Sequence, residues 1–217
     1  MENQTAINEI KNNKKYKQMK KTNLFLLGVF TIGIALLTLS CTNNRATHDE
    51  GVVINGVRWA TRNVDAPGRF ATNPEDAGMF FQWNRRQGWA ATRSVAELDN
   101  TMPTGTSWTR RNDPCPRGWR VPTQAELISL NQSGSTWTTR NGVNGRVFGF
   151  AGDEIFLPAA GWGNCENSLS HVGVHGFYWS NVSNSEEIAL FLDFTSAFAG
   201  IDGNERLFGK SVRCVAK

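Results

Sequence analysis

Beyond residue 50 the apolar positions come in short runs separated by Gly, Asn and other turn formers, which predicts strands and turns with little helix. Val52–Trp59 places Asn55-Gly56 between two β-branched runs and reads as a hairpin with a tight turn. Ala77–Asn84 holds a short apolar strand, Met79–Trp83. Residues 85–112 mix Gly, Thr, Arg and Trp and read as irregular, with a helical turn at Ser94–Asp99. One helix stands out. Pro122-Thr-Gln-Ala-Glu126 opens it, Thr123 and Glu126 form a capping box, Leu127, Ile128 and Leu130 supply a buried stripe, and Gly134 ends it. Strands follow at Trp137–Arg140, Arg146–Phe150, Glu154–Leu157, Phe177–Ser180, Ile188–Phe194 and Lys210–Val215. A helix ahead of a run of short antiparallel strands is an α+β pattern. In Ile188–Phe194 the two-residue period puts Ile188, Leu190, Leu192 and Phe194 on a core-like face. Ala189, Phe191 and Asp193 share the other, where an aromatic beside a charge suits a binding face.

The first forty residues follow a different pattern. Six lysines between Lys11 and Lys21 precede an apolar run, Leu24–Leu39, about the length of a signal h-region and short of the roughly 20 residues that span a membrane. Leu37-Thr-Leu-Ser-Cys41 looks like a bacterial lipobox, with Thr38 where Leu is usual. Residues 1–40 are therefore expected to be a lipoprotein signal peptide, Cys41 the lipidated residue, 41–50 a polar tether and 51–217 one domain. A plain secretory signal or an uncleaved anchor is the competing reading. The expected place is the bacterial cell envelope, as an outer-membrane lipoprotein whose lipid is its only membrane contact.

Charge changes the picture once that segment is set apart. Six of the 23 basic and two of the 19 acidic residues lie in 1–40, so 17 of each remain and the net +4 belongs to the signal. A neutral domain has no electrostatic drive toward nucleic acid. It is long enough for a core of its own and is expected to be a monomer. Cys115 and Cys214 either form a disulfide or stay two separate buried thiols. Export to an oxidising compartment, and their places beside ordered elements, favour the bridge. Cys165 is then the odd cysteine, in a loop-like setting.

Candidate chemistry is sparse. His171 and His175 are four apart, but Gly173 and Gly176 argue against a helix, so they read as loop histidines and no metal site is expected. The neighbours in Asp153-Glu154 and Glu186-Glu187 point to opposite faces of an extended chain, which disfavours shared acid–base work. Asp202-Gly-Asn-Glu205 offers oxygens that Ca²⁺ would accept, and reads first as a polar turn. There is no Ser/His/Asp order, phosphate loop or nucleotide fingerprint, so neither catalytic residue nor cofactor is expected. Trp59, Trp119 and Trp179 read as core.

Four signatures stand in order in the second half: Cys115-Pro-Arg-Gly-Trp-Arg-Val-Pro-Thr-Gln-Ala-Glu-Leu127, Phe156-Leu-Pro-Ala-Ala-Gly-Trp162, Gly176-Phe-Tyr-Trp-Ser180 and Ser211-Val-Arg-Cys-Val215. With Val53-Ile-Asn-Gly-Val-Arg-Trp-Ala-Thr-Arg-Asn63 as an opening, they resemble the Fibrobacter succinogenes major paralogous domain over roughly residues 52–217. The resemblance implies an exported protein of the Bacteroidetes or their relatives, with a C-type lectin-like fold. In that fold a bridge commonly ties the first helix to the last strand, the places of Cys115 and Cys214. The Glu-Pro-Asn and Trp-Asn-Asp motifs of Ca²⁺-binding lectins are missing. Some proteins with this domain are targets of diversity-generating retroelements, which mutate adenines, often in Asn codons. The resemblance thus implies a fixed frame carrying variable positions: Cys165, Glu166, His171, Val174, His175, Phe177, Asn181, Phe191, Asp193, Thr195, Phe198, Ile201, Leu207 and Phe208. Retroelement diversification and ordinary divergence both account for their scatter. These are the expected ligand-binding residues of a non-catalytic adhesion or recognition protein with a protein or glycan ligand. The alternatives are an enzyme of the formylglycine-generating type, which needs a pair of active-site cysteines, and a structural, fimbria-associated envelope subunit.

Overall fold

Asn55 and Gly56 take positive φ, 49° and 80°, and turn the chain between β1 (Val52–Ile54) and β2 (Val57–Trp59), the hairpin its sequence predicts. The structure, a computed structural model, describes residues 46–91, 99–164 and 168–217. Two more short hairpins follow: β3 (Val64–Ala66) with β4 (Arg69–Phe70), and β5 (Met79–Phe81) with β6 (Gly88–Ala90). After β7 (Trp119–Arg120) and the helix α1 (Gln124–Gln132) come two meanders. The first is β8 (Ser135–Arg140), β9 (Val143–Phe150) and β10 (Asp153–Pro158). The second is β13 (Gly176–Ser183), β14 (Ile188–Phe194) and β15 (Ala199–Glu205), and the pair β11 (Trp162–Gly163) and β12 (Leu169–Ser170) lies between the two in sequence. The last strand, β16 (Val215–Ala216), lies between β2 and β7, so the opening and close of the domain share one sheet. Among the described residues, many short antiparallel strands together with α1 make an α+β fold.

Local chemistry explains α1. Thr123 Oγ1 accepts the Glu126 N–H, and the Glu126 carboxylate accepts the Thr123 N–H at 2.7 Å while Arg120 grips the same carboxylate at 2.6 and 2.8 Å. Gly134, at φ 88°, follows the last turn. Leu127 and Leu130 are buried, but Ile128 is exposed, because one residue along a helix turns it about 100° from Leu127.

The β13–β15 sheet separates two cores, and period two sorts its side chains between them. Tyr178, Leu192 and Phe194 join Leu127, Leu130, Phe148, Ile155 and Leu157 on the helix side. Phe177, Trp179, Ala189 and Phe191 join Trp83, Trp108 and Trp119 on the other. Trp59, Trp119 and Trp179 are core residues, as expected. The Cys115–Cys214 disulfide is present and buried in the second core. Arg213, also buried, donates to Asn63 Oδ1 and to the carbonyls of Ala60 and Phe156.

Four expectations are corrected. The Ala189–Phe191–Asp193 face of β14 is not a surface: all three residues are buried, Ala189 and Phe191 within the second core, and Phe191 is 1% exposed. Lys210–Val215 is not one strand. Lys210 bridges to Phe81 and Ser211 to Tyr178, so the segment threads between sheets and only Val215–Ala216 pairs regularly. Asp202–Glu205 is the end of β15, not a turn. Gly88–Ala90 is a strand within the stretch read as irregular. The helical turn expected at Ser94–Asp99 falls, apart from Asp99, outside the described residues.

Candidate functional site

Between β12 and β13 the chain turns tightly. His171 takes φ 61°, and the His175 N–H donates to the His171 carbonyl at 3.1 Å, which brings the two imidazole centres 5.4 Å apart. β11 sets Trp162 opposite Ser170. Its indole N–H donates to His171 Nδ1 at 3.2 Å, so the Ser170 hydroxyl, 2.6 Å from the same nitrogen, donates as well. Further rings extend the contact. Phe208 lies 4.6 Å from Trp162, His175 stacks on Phe177 at 4.6 Å, and Phe198 meets His175 at 5.9 Å. His171, Val172, Val174 and Phe198 are exposed, the last at 48%, and Trp162, His175 and Phe208 are half-buried. The result is a continuous aromatic and imidazole face with an open edge.

Acid groups lie behind it. His175 Nε2 is 2.9 Å from Asp193 Oδ1, an ion-pair distance without hydrogen-bond alignment. Burial pushes the Asp193 carboxyl above its ordinary value, with His175 opposing and the charge of Asp202 adding to the rise. Deeper still is Lys210, at 0% exposure. Its Nζ is 4.7 Å from the ring centres of Trp179 and Phe191, 5.3 Å from Phe208, 5.4 Å from Phe177 and 5.7 Å from Trp162, and has no hydrogen-bond partner among the described residues. Burial pushes this amine down to about 7, while Asp193, Asp202 and Glu205 pull the other way.

The candidate residues divide. His171, Val174, His175, Phe198 and Phe208 come together at this face, whereas Phe177 and Asp193, expected at the surface, are buried beneath it because His175 packs over both. Phe191 lies under it, against Lys210, where no ligand reaches without displacing the rings above. Thr195 holds the β14–β15 turn by donating its N–H to the Phe198 carbonyl. Ile201 packs in the helix-side core, because it pairs with Leu192 and so shares that face. Asn181 sits toward the other end of β13, its backbone bonded to Trp108 and Pro122. Leu207 is half-buried and its carbonyl accepts from Gln82. Cys165 and Glu166 lie outside the described residues. Among those described, no group of three or more His, Cys, Asp or Glu is arranged to hold a metal ion, and no helix is long and apolar enough to cross a membrane.

Trp162 and Lys210 are the members that sequence reasoning missed. One signal was present: Lys210 and Lys217 are the only lysines after Lys21. A cleft of about 620 Å³, lined in part by Pro103, Thr106, Ser185 and Arg206, contains none of the candidate residues. Arg206 clips its walls by donating to the carbonyls of Pro103, Gly105 and Ser185. No family model, curated protein or solved structure matches this chain.

Proposed function

We propose that this protein is a non-catalytic recognition module that binds a protein or glycan ligand through the aromatic and imidazole face. The observation that carries the reading is the contiguity of Trp162, His171, His175, Phe198 and Phe208, with Val172 and Val174 exposed at the edge. An exposed patch of this kind is characteristic of interaction sites, and aromatic rings offer large contact area at low entropic cost. A C-type lectin-like fold of the Fibrobacter succinogenes major paralogous type belongs to the same proposal. It is supported by the ordered signatures, by first and last strands in one sheet, and by a bridge from the approach to the helix to the approach to the last strand. So does anchorage in the envelope through Cys41. The bridge occupies two of the three cysteines after Cys41, which disfavours a reactive cysteine pair.

Glycan-array and protein-array binding of the full chain tests the reading against the double variant His171→Ala/Phe198→Ala. Both side chains are exposed, so the fold should survive and any ligand found with the parent should be lost at least tenfold. Ligands bound equally by both proteins would place recognition elsewhere. Labelled palmitate should enter the parent and not Cys41→Ala; label in both would remove the anchor from the proposal.

A further inference from the structure

Recognition at the outer rings leaves the cleft of about 620 Å³ unexplained, and that volume suits a small organic ligand. One wall is the loop of residues 102–106, and the other is the β13–β14 turn at residues 184–186. Arg206, 2% exposed, lines the cleft and ties the walls together. It donates to the Pro103 and Gly105 carbonyls at 3.0 and 2.9 Å and to the Ser185 carbonyl, with the Trp83 ring centre 4.4 Å from its guanidinium carbon. All of these partners are neutral. Among the described residues no carboxylate comes within ion-pair distance of Arg206, and its Nε–H has no acceptor. Buried charges are ordinarily paired, and this one lacks a counter-ion. The walls are short of acceptors in the same way. The carbonyls of Pro103, Thr104, Gly105 and Thr106 are all taken, by Arg206, Asn84 and Ser183. The N–H groups of Thr104, Gly105 and Thr106, both threonine hydroxyls and the Asn184 carboxamide have no partner among the described residues, and these four residues are exposed.

We infer that this cleft binds carboxylates that carry a short apolar body. Spare donors beside an unpaired buried cation fit an anion rich in oxygen, and backbone N–H groups gather such anions. The carboxylate accepts from the N–H and hydroxyl groups of Thr104, Gly105 and Thr106 within the field of Arg206, and the apolar body lies on Met102 and Pro103. Glu186, exposed, is the one carboxylate among the lining residues, and as a like charge it limits the affinity. A free organic acid and the C-terminus of a peptide carry the same chemistry. The cleft shares no residue with the aromatic and imidazole face, so its failure would leave the recognition reading standing.

Amide NMR spectra of the full folded chain, titrated with hexanoate, hexanamide, acetyl-Leu-Leu and the C-terminal amide of that peptide, test this. Millimolar hexanoate or acetyl-Leu-Leu should move the N–H resonances of Thr104, Gly105 and Thr106, and each neutral amide should bind at least fivefold more weakly than its acid. Tighter binding of acetyl-Leu-Leu assigns a peptide terminus as the source, tighter binding of hexanoate a free acid, and either result supports the site. Asn184→Asp should weaken carboxylate binding severalfold and Glu186→Gln should strengthen it. Both positions are exposed, so the fold should survive. His171→Ala/Phe198→Ala should bind the acids as the parent does. Acids and amides bound alike, charge variants with the parent's affinity, or loop resonances unmoved by either acid would overturn the proposal.

Discussion

A lysine and a tyrosine give the molecule opposite responses to alkali. Lys210, held near 7, binds fewer protons folded than unfolded between about pH 7 and its ordinary 10.5. Across that window it makes stability rise with pH, by at most about 1.4 kcal/mol per unit; below it both states are protonated and the effect is gone. Tyr178, buried and pushed up to about 12, works the other way, keeping a proton that the unfolded chain loses above pH 10. Between pH 7 and 9.5 the lysine acts without the tyrosine. Lys210→Met fills similar space without titrating, so it should flatten the stability curve over that range, as urea unfolding at pH 7, 8 and 9.5 would measure. A slope equal to the parent's would contradict the assignment.

At the scale of elements, α1 is the test case for local determination. Its capping box joins Thr123 and Glu126, and Arg120 adds a partly exposed ion pair to the same carboxylate. Thr123→Ala should cost about 1 kcal/mol in thermal or urea unfolding, and a neutral result would show that Arg120 alone orients Glu126. The same locality explains what was legible in the sequence. The β1–β2 hairpin, α1, β13 and β14 carry their own turn, cap or β-branched pattern. β15 does not: Ala-Gly-Ile-Asp-Gly-Asn-Glu has little strand character and is a strand because β14 pairs with it from Ile188 to Phe194. The site was half legible for a related reason. Five of the residues between the signatures meet at one face, but Trp162 lies inside a signature and Lys210 beside one, where the pattern speaks for the frame rather than for a site. Phe191 was assigned to a surface because periodicity tells which residues share a face and not what covers that face.

For the whole molecule, the dominant constraint is the Cys115–Cys214 bridge, whose ends stand 99 residues apart in sequence. Closing a loop of that length is worth up to about 4.7 kcal/mol in the chain-entropy model. Everything from α1 through β15 lies inside it, including all the rings of the candidate face. A single proteolytic cut in that interval therefore cannot release the segment that carries the candidate face. The β13–β14 turn, where Glu186 and Glu187 are exposed, is the place to make one with a glutamate-specific protease. The nicked protein should run as one species without reductant and as two fragments with it; separation without reductant would mean that the bridge does not form. A protein built this way has a defence against digestion that is covalent, and the candidate face inside the loop shares it whatever residues it carries.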